Sequence, residues 1–296
     1  MEICPTNSTN QIEGLTYQLS DSEVSEDQRL KAAALDQRGR LIILPRTVGP
    51  KAALTKLDDV KRVGAGVYIA SKRRKVLVSV LENTPHIRFR RAREIPKGDS
   101  RKKAPFTDRI YTVVLYSFEK PTPQQKKSLQ RLILKTPCIK LRPGVLLLPH
   151  LRAKEKARYY SSHGGVELLD SNSFANETVA LGAKVRRWTR LRLINQQGEE
   201  LIQQAYSAMV AQEVTSIDLK LKSIAGELKN GSSDLKKLKS EYTAVSRRLK
   251  RLRHRHKILH ALWQYEAEKE LKRVYNSMLK VRRAIQEKTE IPINPS

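Results

Sequence analysis

Cysteine is almost absent from this 296-residue chain: Cys4 and Cys138 are the only two, and neither belongs to a CxxC pair. That count excludes a zinc ribbon and a disulfide framework. Long apolar runs are missing as well, and no stretch approaches the roughly 20 residues that span a bilayer. The opening MEICPTNSTNQIEG has neither a basic region nor an apolar core, so it is not a secretory signal, and a cytoplasmic chain without a membrane partner is expected. Acid is also in short supply. The chain has 30 Asp+Glu against 58 Lys+Arg, a formal charge of +28. Such an imbalance is the electrostatic footprint of a polyanion partner.

Catalytic constellations are missing too. No phosphate-cradling loop, Ser/His/Asp arrangement or pair of acids stands out, so no cofactor is expected and the chain is not expected to be an enzyme. His256 and His260 stand four apart on one helical face but have no third ligand nearby, and read as surface or seam histidines, not a metal site.

What is present divides into segments. Residues 1–27 hold no Lys or Arg and carry Glu2, Glu13, Asp21, Glu23, Glu26 and Asp27, which predicts a disordered acidic tail able to compete for the basic surface. Residues 28–95 predict a small basic α+β domain. LKAAAL begins a helix, RLIILP is a short strand, and GPKAALTKLDDV is helix-like with Pro50 near its start. VGAGVYIASKRRKVLVSVL reads as two strands joined by a basic turn, Ser71 to Lys75, and helix, strand, turn, strand is the order of a winged helix-turn-helix. LTKLDDVKRVGAGVYIA resembles the last helix and wing of such regulators. The GVY at Gly66 also opens a GIY-YIG nuclease pattern, but the second motif would fall at Val76 without its tyrosine or glycine, and that class is set aside. TPHIRFRRAREIPKGDSRKKAP predicts a strand with a basic face, then a linker over 96–107.

From residue 108 to 195 strands and helices alternate legibly. Tyr111–Tyr116 is a strand, Pro123 opens a helix running to Lys135, and CIKL and VLLLP form a hairpin about Arg142-Pro143-Gly144. RAKEKARYYSS is expected as a second helix ending at Gly164-Gly165, and VELLD as a further strand. The order βαββαβ is the ferredoxin-like arrangement. KVRRWTRLRLI adds a basic strand, of a kind that can pair with a second subunit's sheet edge, so a homodimer is expected.

YTVVLYSFEKPTPQQKKSLQRLILKTPCIKLRPGVLLLPH resembles the N-terminal domain of ChrB-like chromate-resistance regulators and is similar to the middle domain of PaaX-type phenylacetate repressors. In those families a strand ending in "LYS" is followed by a polar-proline loop, a basic helix and a "GVYVLP"-like strand, matched here by Gly144 to Pro149. The resemblance covers about residues 108–260 and implies a DNA-binding regulator. The same fold is shared by CRISPR-adaptation nucleases, which end the first strand in an Asp that holds a metal. Ser117 stands there in this chain, and Glu119, two residues on, sits in a loop that fixes a ligand poorly.

Residues 196–288 predict an α-helical coiled-coil hairpin turning at Asn230, followed by a tail over 289–296. Leu235, Leu238, Tyr242, Val245, Leu249, Leu252 and Leu259 form the seam. Within it, RRLKRLRHRHK has seven Lys/Arg, two His and no acid in eleven residues, a density that costs stability at i, i+4 spacing. Phosphate contacts are expected from Lys72, Arg73, Arg74 and Lys75 in the turn, and from Arg88, Arg90, Arg91 and Arg93 in the basic strand. They are also expected from Arg186, Arg187 and Arg190, and from Arg247, Arg248, Lys250, Arg251, Arg253 and Arg255. The expected function is nucleic-acid binding, DNA before RNA, with an RNA- or ribosome-associated protein as the alternative and a metal-dependent nuclease third.

Overall fold

The computed structural model describes residues 39–45, 54, 56–57, 59–70, 75–94, 109–152, 156–157, 168–230 and 234–290. The acidic tail over 1–27, the LKAAAL helix, Lys72, Arg73 and Arg74, the linker over 96–107 and most of RAKEKARYYSS lie outside the described residues.

The described chain is mixed α+β, with one open antiparallel sheet of eight strands. The first four are β1 (Arg40–Ile43), β2 (Val60–Gly64), β3 (Val67–Ala70) and β4 (Ile87–Arg91), with helix α1 (Lys75–Glu82) between β3 and β4. The second four are β5 (Ile110–Ser117), β6 (Ile139–Arg142), β7 (Val145–Pro149) and β8 (Lys184–Leu193). Helix α2 (Pro123–Lys135) joins β5 to β6, and α3 (Ser171–Ala180) precedes β8. Three long helices follow: α4 (Gln196–Lys229), α5 (Leu235–Trp263) and α6 (Glu268–Glu290).

The strand order β2-β3-β1-β4-β8-β5-β7-β6 is a palindrome of two four-stranded halves. They meet where β4 pairs with β8, with Phe89 opposite Leu193, Arg90 opposite Arg192 and Arg91 opposite Leu191. The expectation that β8 serves a second subunit is corrected here: β4 and β5 occupy both its edges within one chain. The far ends of the sheet approach one another as well. Arg142 of β6 donates to the Leu44 carbonyl just past β1 (2.8 Å), and a Cβ on Gly66 would lie 1.5 Å from its Nη1. The backbone at Gly66, at φ 65°, favours glycine, and the Arg142 guanidinium packs against it where the unpaired ends of the open sheet come together.

Three apolar clusters build three layers. On one sheet face Leu41, Ile69, Phe89, Tyr111, Leu147, Trp188 and Leu193 share a core with α4, α5 and α6. On the other face Ile42, Tyr68 and Ala70 pack with Leu54 and Leu81, and Val114, Tyr116 and Leu146 pack with Phe174, Leu129 and Ile133. Strands covered on both faces lose their polar alternation, which is why β5 and β7 read as continuous apolar runs.

Local chemistry sets the helix starts. Thr122 and Gln125 form a reciprocal capping box with Pro123 behind it, Asp170 caps α3, and Asp234 caps α5. Asn195, ahead of α4, instead bridges to the sheet: its Oδ1 accepts from Arg88 N (2.9 Å) and its Nδ2 donates to His86 O (2.7 Å).

Several expectations need correction. Val76–Val80 is helix within α1, not a strand; Val80 and Leu81 of this helix pack against the Ile42, Tyr68 and Ala70 cluster, so it covers the first half of the sheet. Leu168–Asp170 of VELLD is not strand; the helix before the last strand of this half is α3, and that strand is β8. The C-terminal segment is three helices where two were expected. Gln264, at φ 59°, ends α5, and Tyr265 and Ala267 turn into the core before α6 begins.

Candidate nucleic-acid interface

α5 carries ten Lys/Arg against a single acid, Glu241, and its α-helical period distributes them around the rod. One stripe is buried: Leu238, Val245, Leu249, Leu252, Ile258 and Leu259 face the core. The cations on this stripe are structural. Arg255 is 3% exposed, and one of its Nη atoms reaches both oxygens of Glu213 on α4 at 2.6 Å. It ties α5 to α4 and is withdrawn from the expected phosphate contacts, since a buried guanidinium with its own carboxylate cannot reach solvent. Arg248, half-buried, donates to Ser216 Oγ at 3.0 Å.

The opposite stripe faces outward. Arg247, Lys250, Arg253 and Lys257 are exposed and Arg251 is half-exposed. Between α5 and α6 a groove of about 980 Å³ is lined by Lys250, Arg253, Lys257, Lys269 and Lys272, with Glu268 the one acid in its wall. The Arg253 guanidinium lies 4.9 Å from the Tyr275 ring centroid, so the ring fixes the cation at the groove wall while leaving its charge outward. A second groove, of about 530 Å³, lies where α4 meets the α5–α6 connection and has the opposite character. Among the described residues, Glu200 and Glu266 line it together with glutamines, and no cation does. The two grooves therefore carry fields of opposite sign.

Beneath these surfaces a buried polar group ties the sheet to the helices. Arg109, just ahead of β5, forms an ion pair with Glu199 in the first turn of α4, and Tyr265 donates to the other Glu199 oxygen at 3.2 Å. Burial raises the Glu199 carboxyl above its ordinary range, and the attraction of Arg109 only partly offsets this. Tyr206 on α4 bonds His256 on α5, whose pKa is lowered by burial and by the neighbouring His260. His256 is therefore a core histidine; His260 is exposed, with its Nδ1 3.2 Å from the Tyr265 carbonyl. Among the described residues no group of three His, Cys, Asp or Glu side chains converges as a metal cage would require.

The remaining expected contacts are scattered. Lys75 starts α1. Arg90, Arg91 and Arg93 are exposed, and Arg88 is half-buried on β4. Arg186 turns inward, its Nη1 3.4 Å from the Val63 carbonyl, and Arg187 donates to Asn172 Oδ1 at 2.9 Å. Arg190 sits exposed in the bulge of β8, at φ 55°. Ser117 is exposed at the end of β5, and Glu119 is held by Lys184 at 2.6 Å, with its carboxyl lowered by that hydrogen bond and charge. Sequence reasoning missed the α6 side of the groove. Lys269 and Lys272 are interleaved with Glu268 and Glu270, so α6 has no unbroken basic run to draw attention.

The class these observations define is a mixed α+β chain with a helical arm and a cationic groove. No protein-family description, curated protein or solved structure matches it.

Proposed function

We infer that the chain is a nucleic-acid-binding protein that grips the phosphate backbone of a duplex through the α5–α6 groove, and acts as a DNA-binding regulator without catalytic chemistry. The observation that carries this reading is the groove itself, five cations against one acid along two adjacent helices. A 29-residue helix is about 43 Å long at 1.5 Å per residue, on the scale of one duplex turn of about 34 Å.

A duplex is preferred to a single strand because single strands are held by stacking bases on exposed aromatic rings. Among the described residues the exposed large hydrophobics are Val179 and Leu219, neither aromatic. The strand order β8-β5-β7-β6, with helices after β5 and before β8, supports a ferredoxin-like unit, and β2-β3-β1-β4 supports reading the first half as its counterpart in place of a winged helix. The open face on which such sheets display bases is filled here by Phe89, Tyr111 and Trp188 packed under α4 to α6, which again favours backbone contact over base stacking.

The test is a salt titration of binding to duplex DNA and to structured RNA, side by side. The variant K250Q/R253Q/K257Q/K269Q/K272Q should weaken binding to every duplex sequence and flatten the log–log salt slope by about 0.9 for each phosphate that is no longer neutralised. An unchanged slope removes the groove from the interface. Tighter binding to RNA than to any duplex DNA at physiological salt overturns the DNA assignment.

A further inference from the structure

The acids of residues 1–27 need a basic surface to meet, and the fold narrows which one it is. Arg142, Arg186, Arg192, Arg248 and Arg255 each commit a guanidinium nitrogen to a carbonyl, a hydroxyl or a carboxylate of the fold. The groove between α5 and α6 differs. Lys250, Arg253, Lys257, Lys269 and Lys272 are all exposed there. Among the described residues, none of these four lysines forms an ion pair.

Residues 1–27 are the complement of this groove. They carry six acids and no Lys or Arg, and four of the acids, Asp21, Glu23, Glu26 and Asp27, fall within seven residues. Six extended steps of about 3.3 Å span about 20 Å, whereas Lys250 to Lys257 span about 10 Å of helix, so the acids cover the cationic wall in full. The neighbouring groove, with Glu200 and Glu266 in its wall, repels the same segment.

Reach is sufficient as well. Twelve residues lead from Asp27 to Gly39, where the described chain begins, and extend to about 40 Å at most. Leu41 on β1 pairs with Phe89, whose ring lies 5.5 Å from that of Tyr111, and Tyr111 lies 4.9 Å from Trp263 at the end of α5. Lys257 is six residues back along that helix, about 9 Å. The straight line from Gly39 to the groove is therefore on the order of 30 Å. A tethered segment meets such a site at an effective concentration in the millimolar range, so weak pairing is enough.

We propose that the α5–α6 groove is the docking surface for the acidic segment over residues 1–27, so that a duplex must displace an internal polyanion in order to bind. The contact stands on charge and reach; its consequence for binding rests on the reading of the groove as a duplex site.

Zero-length carbodiimide coupling of the full chain, mapped by mass spectrometry on the monomer, reads the contact directly. Asp21, Glu23, Glu26 and Asp27 should be joined to Lys250, Lys257, Lys269 or Lys272, with a yield that falls as salt rises toward about 0.5 M. Equal coupling to exposed lysines elsewhere, such as Lys126 and Lys236, overturns the proposal. Duplex affinity reads the consequence. E2Q/E13Q/D21N/E23Q/E26Q/D27N should bind duplex DNA about tenfold more tightly than wild type at low salt. In the K250Q/R253Q/K257Q/K269Q/K272Q background the same six substitutions should gain less than about twofold. An equal gain in that background also overturns the proposal, because the acids would then act through net charge alone. Duplex binding without coupling at the groove overturns the docking and leaves the duplex reading intact. Coupling at the groove with no duplex bound by any variant upholds the docking and removes the duplex reading.

Discussion

α4 and α5 lie side by side and are of similar length, yet they solve opposite problems. α4 spans 34 residues with five acids and three Lys/Arg, and buries Ile202, Tyr206, Val210, Val214, Ile217, Leu221, Ile224 and Leu228 in one seam. α5 spans 29 residues with ten Lys/Arg and one acid. The difference shows how a single basic helix is divided between two tasks. Where α4 supplies a carboxylate, as Glu213 does to Arg255, an α5 cation becomes part of the core. Where α4 supplies none, as along Lys250, Arg253 and Lys257, the charge stays at the surface. The acids of α4 therefore decide which α5 arginines are drawn into the core.

The sharpest way to break this comparison is to remove the carboxylate. Glu213→Gln leaves Arg255 buried and unneutralised, and should cost about 3–5 kcal/mol in denaturant unfolding. Arg255→Gln should cost a similar amount, since the Glu213 side chain is only 12% exposed. The double variant should recover part of the loss, because the two penalties arise from the same broken pair. A loss below about 1 kcal/mol in either single variant would place Arg255 among the surface cations after all.

The same logic holds at the other end of α4, with a smaller expected loss. Glu199→Gln removes the charge that Arg109 faces, yet Tyr265 can still donate to the amide oxygen. Because burial already holds the Glu199 carboxyl above its ordinary range, part of the pair's gain is offset by desolvation, and a loss of about 2–3 kcal/mol is expected. Equality with the Glu213→Gln loss would mean that the two pairs are buried alike in energetic terms.

Which parts of this were legible in the sequence follows from range. β5, α2 and the β6–β7 hairpin were readable because their signals are local: an unbroken apolar strand, Thr122-Pro123 with Gln125 closing the cap, and Pro143-Gly144 in the turn. β8 was readable in spite of its charge because the residues alternate. α3 was not, since SNSFANETVA has no apolar stripe and is held by the Asp170 cap and by the buried Phe174 and Thr178. Val76–Val80 carries a strand's composition and a helix's position, and its surroundings prevail. The fate of Arg255 was unreadable in principle: it depends on Glu213, 42 residues earlier, on a different helix. The break at Gln264 carries neither glycine nor proline, so a continuous helix was the natural reading.

A pH experiment sharpens the comparison at the α4–α5 contact itself. His256 bonds Tyr206 across the two helices, and burial first, then His260, lowers its pKa below the ordinary 6.5. The unfolded chain therefore binds a proton at a higher pH than the folded one, and this contribution to stability is present above about pH 6.5 and is lost as pH falls below it. His86, also lowered chiefly by burial, acts in the same direction, and Glu199, raised, acts in the opposite one nearer the carboxylate range. The contribution of His256 is isolated by difference. His256→Asn, which offers a polar atom near the position of Nδ1 without titrating, should flatten the fall in unfolding free energy between about pH 7 and about pH 5.5. A profile parallel to wild type would show that the helix contact does not depend on a neutral imidazole.

The smallest expected effect is the most discriminating. Lys250, Arg253 and Lys257 are exposed on α5, with Arg253 resting on the Tyr275 ring. Their neutralisation as K250Q/R253Q/K257Q should leave stability within about 0.5 kcal/mol of wild type. Removing the cation–π interaction costs about 0.5 kcal/mol, and relief of like-charge neighbours at i, i+3 and i, i+4 returns a similar amount. Thermal melting in moderate salt checks this, and melting at low salt sharpens it, because repulsion among the three cations is then least screened and the variant should gain on wild type. A loss as large as that from Glu213→Gln would mean that the outward face of α5 is as structural as its inward face. The groove would then be a by-product of helix packing, and the division of labour between α4 and α5 would disappear.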